Sequence, residues 1–215
     1  MPKKDSEISM SVIKRMPRYY RFLGNLKKDG VERISSKELS VRMGFTASQI
    51  RQDLNCFGGF GQQGYGYNVE QLYNEIGSIL GVDNGYKTVI IGMGNLGKAL
   101  AAHMKFSRSG YDVIGLFDKD ASLIGEEVNG MKIQSVDNLD DFCREYSPVV
   151  AVLCVPEAAA RENAEMLVKN GVMNFWNFSH FDIAAEFPGT ISENVHLNDS
   201  LRTLNYQIMH KHVND

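Results

Sequence analysis

The sequence predicts two folded units in series, a small α+β unit in front and a parallel α/β unit behind it. Three observations predict this. The stretch TVIIGMGNLGKAL, Thr88 to Leu100, joins an apolar run to closely spaced glycines and then to a helix-forming segment. That motif reaches its first glycine only at residue 92, so roughly 85 residues precede it and about 120 follow, barely enough to finish one nucleotide-binding sheet. Charge divides the same way. Residues 1–80 carry 12 Lys/Arg and 8 Asp/Glu, net +4, whereas residues 81–215 carry 11 and 18, net -7. A basic front module on an acidic body suits a front unit that meets a polyanion, although solvated charges can also cluster by chance.

The front elements follow in order. IKRMPRYYRFLGNLKKDG predicts a helix from about Pro17, with proline in the first turn and Gly30 beyond the end. Tyr19, Phe22, Leu23 and Leu26 fall on one face. Ser35 and Glu38 form a capping-box pattern that opens a short helix ending at Gly44. Thr46 and Gln49 repeat the device at the head of a second helix. Leu39 and Met43 on the first can meet Ile50 and Leu54 on the second, and two short helices around a glycine turn make a helix-turn-helix. The outer side of the second helix carries Ser48, Gln49, Arg51 and Gln52, which can reach bases or phosphates. Arginine suits the paired acceptors of guanine, and glutamine the acceptor-donor edge of adenine. GGFGQQGYGYNV then alternates turn glycines with Phe60, Tyr65 and Tyr67, which predicts a hairpin, a wing in which Gln62, Gln63 and Tyr65 would touch DNA. The alternative is a small three-helix protein-interaction domain with an irregular loop.

EQLYNEIGSILGVDNG predicts a connecting helix with Leu72, Ile76, Ile79 and Leu80 on one side, and Gly81 to Gly85 makes a short break. Val89-Ile90-Ile91 then reads as a buried parallel strand. Gly92 permits the tight turn, Gly94 lets a pyrophosphate approach the backbone, and Gly97 allows close helix-strand packing. Backbone amides across Met93, Asn95 and Leu96 would face the phosphates, helped by the helix dipole. Asp118 closes a second strand, YDVIGLFD, 21 residues after Gly97, where a carboxylate can hold ribose hydroxyls. These features together predict a Rossmann unit. The charge of Asp118 would repel a 2′-phosphate and favours NAD over NADP, with the adjacent Lys119 working slightly against it.

VVAVLCVP (149–156) is a continuous apolar run, hence another buried strand, with Val155 and Pro156 at the carboxyl edge where ligands bind. AAARENAEMLVKNG is an amphipathic helix stopped by Gly171. VMNFWNF brings Asn177 and Phe178 to the same edge, with Trp176 expected in the core. DSLRTLNYQIMHKHV, from Asp199, predicts a last helix with Leu201, Leu204 and Ile208 on one face, suited to its own domain or to a partner subunit. The expected division is a DNA-binding domain at 1–80, a dinucleotide-binding domain at 81–198 and a terminal helix at 199–215.

No catalytic constellation emerges. The five histidines are scattered, and only His180, after a strand end, is a candidate acid-base group. Cys56, Cys143 and Cys154 are odd in number and unpaired in spacing, against a disulfide framework or a zinc site. Cys154 is expected in the core, and Cys56 lies beside the second short helix. No apolar run approaches the ~18 residues of a membrane span. The start, MPKKDSEISM, lacks the apolar stretch of a signal peptide, so a cytoplasmic location is expected.

Taken together, KRMPRYYRFL, ISSKELSVRMGFTASQIRQDL, FGGFGQQGYGYNVEQLY, VIIGMGNLGKAL, FDKD, VLCVP, GVMNFWNF and ENVHLNDSLRTL resemble the Rex family of redox-sensing transcriptional repressors, in order across nearly all of residues 14–206. The resemblance implies a winged-helix domain, a Rossmann domain and a homodimer that exchanges its C-terminal helix. It also implies an inverted-repeat operator, release by NADH, and competition from NAD⁺. By position, Gly92 to Gly97 would cradle the pyrophosphate and Asp118 the adenosine ribose. Val155-Pro156 and Asn177-Phe178 would lie along the dinucleotide, and Arg51 and Gln52 on the recognition helix. Three departures stand out. Gln52, Gln62 and Gln63 replace basic residues frequent in relatives, which implies fewer phosphate contacts. His103 stands where tyrosine is frequent beneath the nicotinamide. His196 stands where many relatives carry an acid paired with an arginine of the winged domain, here Arg21, with Asp199 as the neighbouring substitute.

Overall fold

The computed structural model describes residues 8–58, 61–62 and 65–211, with backbone alone at 61, 62 and 211. Phe60, Gln63 and the side chain of Gln62, all expected in the wing, lie outside the described residues. The chain divides into two compact units, Met1–Asp83 and Asn84–Asp215.

The front unit opens with a four-residue helix that the sequence reading did not anticipate, α1 (Met10–Ile13), followed by α2 (Met16–Lys28) with proline in its first turn. Tyr19, Leu23 and Leu26 of α2 are buried as their spacing demands. After β1 (Arg33–Ile34), α3 (Ser36–Met43) starts on a complete capping box between Ser35 and Glu38 and stops at Gly44, whose φ of 69° an L side chain resists. The next helix, α4 (Ala47–Asn55), is capped differently from expectation. Thr46 accepts from the Gln49 backbone, but the Gln49 side chain does not return the bond; it reaches Asp53 instead. Leu39, Met43, Ile50 and Leu54 close the expected apolar seam. A hairpin follows, β2 (Gly61–Gln62) and β3 (Gly66–Asn68), with β3 central in the antiparallel order β1-β3-β2. Helix α5 (Val69–Leu80) is capped by Asn68 and packs on α2, with Tyr20 and Tyr73 stacked at 4.3 Å.

The rear unit holds β4 (Tyr86–Ile91), α6 (Asn95–His103), β5 (Tyr111–Asp118), β6 (Glu127–Val128), β7 (Met131–Ser135), α7 (Leu139–Tyr146), β8 (Val150–Leu153), α8 (Glu157–Lys169), β9 (Asn174–Asn177), α9 (Ile183–Glu186), β10 (Ile191–Asn194) and α10 (Leu197–Lys211). Its seven strands run in the order β10-β9-β8-β4-β5-β7-β6. All neighbours are parallel except the β6–β7 hairpin. Strand order reverses beside β4, and such a switch point opens a crevice at the carboxyl edge. Residues of β4 alternate between two cores, Val89 and Ile91 toward α7 and α8, Ile90 toward α6.

On the α6 side a groove of about 470 Å³ runs past Met104, Phe106, Val152, Trp176 and Ile191. Trp176, expected as plain core, is half-buried and meets Phe106 edge-on at 6.2 Å. Leu201, Leu204 and Ile208 of α10 remain 57%, 49% and 56% exposed, so this helix buries little of its apolar face within its own chain. No described helix is long and apolar enough to cross a membrane.

Candidate dinucleotide site and nucleic-acid interface

The glycines after β4 build the rear site by close approach. At Gly97 an added Cβ would stand 1.9 Å from the Gly92 carbonyl oxygen, so α6 presses directly on the turn. At Gly92, with φ 91°, a Cβ would stand 2.6 Å from the Cys154 oxygen. Gly94 is the opposite case, since a Cβ there would meet nothing within 4 Å. Helix α6 begins at that open spot without a side-chain cap, leaving first-turn amides and the positive dipole end for an anion.

Asp118 spans the crevice. Its Oδ2 accepts from the Met93 backbone amide and its Oδ1 accepts from the Asp120 amide at 2.9 Å. An ionised carboxylate has about four acceptor positions, so both oxygens can also take ribose hydroxyls. Gly92, Gly94, Asp118, Lys119, Val155 and Pro156 all line one cavity of about 650 Å³. Met93 is buried behind it, while Asn95 and Leu96 are exposed on the first turn of α6. Open cradle, uncapped helix and spanning acid fit a dinucleotide.

Several members of this cavity were not anticipated. Leu123, Val136 and Asp137 come from loops beyond β5 and β7, and Asn163 and Met166 from α8. No local motif marks them; the crevice collects them from distant segments. Cys154 belongs to the same lining and is half-buried, not plain core. Burial pushes its thiol up to about 12, so it stays protonated and unreactive. Asn177 is buried, and its amide is spent inside the chain. It donates to Phe181 and Asn194 and accepts from Ser179. Phe178 packs edge-on against Trp176 at 4.6 Å on the other face of the sheet.

The front site is organised by arginines of α2 and the turn before it. Arg18 donates to the Met43 carbonyl at 2.6 Å, at the end of α3, with its guanidinium 4.7 Å from the Phe45 ring centre. Arg15 grips Asp53 of α4 through two bonds of 2.7 Å. Asp53 is fully buried and also accepts from Tyr19 Oη at 3.0 Å and Gln49 Nε2 at 2.8 Å. Burial alone would raise this carboxyl; the bonds from Arg15, Gln49 and Tyr19 outweigh it and hold it below its ordinary value. The sequence did carry a signal for Asp53, because it falls on the apolar stripe of Ile50 and Leu54. Ser48, Arg51 and Gln52 are exposed and Gln49 is half-buried. Arg51 Nη1 donates to Ser36 Oγ at 3.1 Å. Tyr65 is exposed, and its carbonyl accepts from Arg33 at 2.9 Å. Cys56 sits at the end of α4, its thiol donating to the Gln52 carbonyl at 3.3 Å.

Arg21 is exposed on α2, and His103 is exposed at the end of α6. His196 is half-buried and stacks with His180 at 5.3 Å and 4°. Its Nδ1 is buried without a hydrogen-bond partner. Asp199 pairs with Arg202 at 3.0 Å. His180 thus faces another imidazole. Among the described residues, no group of three or more His, Cys, Asp or Glu is arranged to hold a metal.

A winged helix-turn-helix joined in one chain to a dinucleotide-shaped Rossmann unit is the build of a nucleotide-responsive transcription regulator. Comparisons with known proteins agree. Residues 7–55 match the family described as "Putative DNA-binding protein N-terminus", and residues 83–181 the family described as "CoA binding domain". The redox-sensing transcriptional repressor Rex of Clostridium perfringens is 50% identical over 98% of this chain and 99% of its own. That of Caldanaerobacter subterraneus subsp. tengcongensis is 50% identical over 95% of this chain and 91% of its own. A crystal structure of RSP with β-NAD⁺ and operator DNA superposes with a TM-score of 0.87 at 48% identity, covering 96% of this chain and 94% of that one. RSP with β-NADH gives 0.87 at 45% identity, covering 96% and 97%. The chain belongs to the Rex family of redox-sensing transcriptional repressors.

Proposed function

We propose that this protein is a cytoplasmic repressor, not an enzyme, that binds an inverted-repeat operator as a homodimer and leaves it when NADH binds. The observation that carries the reading is the open, uncapped helix start over Gly94 with Asp118 at the next strand end, in the same chain as a winged helix-turn-helix. The RSP complexes with β-NAD⁺ and operator DNA and with β-NADH support both ligands.

The bound dinucleotide supplies a change of charge, since its nicotinamide is cationic in NAD⁺ and neutral in NADH. Gly92 to Gly97 hold the pyrophosphate through backbone amides, and Asp118 holds the adenosine ribose. Asp118 beside that ribose favours NAD(H) over a 2′-phosphorylated form. Val155 and Pro156 shape the wall along which the rest lies; Asn177 and Phe178, outside that lining, stand at the end of the neighbouring strand, where Asn177 contributes position, its amide being spent. Ser48, Gln49, Arg51 and Gln52 enter the major groove, and the wing with Gln62, Gln63 and Tyr65 follows the backbone. The exposed apolar face of α10 is supplied to the second subunit. Arg21, His103, His196 and Asp199 carry the coupling between ligand and operator.

A ligand moves such a dimer only by its differential affinity for two arrangements. NADH favours one in which the two recognition helices no longer match successive major grooves. Fluorescence anisotropy of a labelled inverted-repeat operator tests this at fixed salt. NADH is expected to release the DNA and NAD⁺ to resist that release; binding that ignores both nucleotides would refute sensing.

A further inference from the structure

Four donors converge on the buried Asp53 carboxylate, two on each oxygen. Arg15 and Tyr19 reach Oδ2, and Arg15 and Gln49 reach Oδ1. An ionised carboxylate only accepts hydrogen bonds. Asp53 is held ionised by its donors, Arg15 foremost among them. The Gln49 amide must therefore turn its nitrogen inward, and the opposite flip would set two acceptors against each other. Gln49 is half-buried, and its Oε1 accepts no bond among the described residues, where His196 Nδ1 is the one sealed side-chain atom without a partner. Gln49 is the third residue of α4, and residues near the start of a recognition helix are those that meet base edges.

We infer that Arg15 and Asp53 are positioning residues that fix the Gln49 amide, so that it offers the operator an acceptor, Oε1, and reads one exocyclic amino group, adenine N6 or cytosine N4, in the major groove. This rests on the operator-binding reading above. A free glutamine pairs with donors or acceptors by flipping its amide. With the flip removed, a base edge that places an acceptor opposite Oε1 is refused, and specificity comes from the refusal as much as from the bond. The buried ion pair then serves orientation; as a source of stability such a pair adds little over apolar residues of similar size.

Modified operators test this. Each half-site adenine or cytosine is replaced singly by the analogue lacking the exocyclic amino group, and each purine singly by its 7-deaza analogue. Binding is compared between the native chain and Gln49→Ala, so that effects on the duplex itself cancel in the cycle. At one half-site position amino-group removal is expected to weaken native binding by about three- to tenfold and to leave Gln49→Ala unchanged, while a 7-deaza effect couples to Gln49 at most at that same adenine, where the second Nε2 hydrogen can donate to N7. A second variant, Arg15→Gln with Asp53→Asn, replaces the ion pair by neutral amides that accept either flip. It should lose the amino-group sensitivity yet still prefer operator over scrambled DNA; a purely structural role would weaken every analogue equally. Coupling to a 7-deaza position without coupling to an amino group, or no coupling anywhere, would overturn the assignment while operator binding stands. A native chain that does not distinguish operator from scrambled DNA would remove both.

Discussion

The glycine turn after β4 and the helix α10 belong to the same unit but are completed in opposite ways. The turn is finished within the chain. Gly92 lies against Cys154, Gly97 against Gly92, and Asp118 reaches over to the Met93 amide. Helix α10 presents Leu201, Leu204 and Ile208 about half-exposed on one face, which in water is a standing cost of about 1 kcal/mol for each such side chain, half the figure for full burial. A groove of about 470 Å³ lined by Phe106 and Trp176 is likewise open on the same unit. The difference separates what one chain completes alone, the glycine turn, from what it leaves open, an apolar helix face that the proposed dimer would cover.

Gly97→Ala should break the self-contained half most severely. Its Cβ would meet backbone, which cannot swing aside as a flexible side chain can. Dinucleotide affinity should fall at least a hundredfold, about 3 kcal/mol, in a titration of NADH fluorescence, while operator binding persists and stops responding to NADH. Affinity within threefold of the native chain would mean that the cradle tolerates a wider gap than the geometry allows. A smaller effect should sharpen the other half. Leu204→Ala removes part of the apolar face of α10 and should weaken self-association by about 2 kcal/mol, read by sedimentation across a dilution series. NADH should still saturate the resulting monomers. Unchanged self-association would assign the face of α10 to some other contact.

The same contrast explains what the sequence made legible. Capping at Ser35, the turn at Gly44 and the fingerprint from Gly92 to Asp118 are local, and spacing alone exposes them. The cavity walls at Leu123, Val136 and Met166 arise where distant segments meet, so no short pattern announces them. Asp53 lies between. Its place on an apolar stripe hinted at burial, but its partner Arg15 is 38 residues away. Gln49 is the instructive case, because the side chain expected to accept from the Thr46 amide instead donates to the Asp53 carboxylate one turn further along the helix. Helix α10 was legible as amphipathic, yet its exposure became evident only once the sheet was complete without it.

The central claim is that nucleotide and operator compete through one conformational equilibrium, and linkage makes that claim reciprocal. Calorimetric titration of NADH into the protein alone, and into the protein saturated with operator, measures it most directly. NADH should bind the operator complex more weakly, by the same factor by which NADH weakens operator binding. Equal NADH affinity in both titrations would contradict the account.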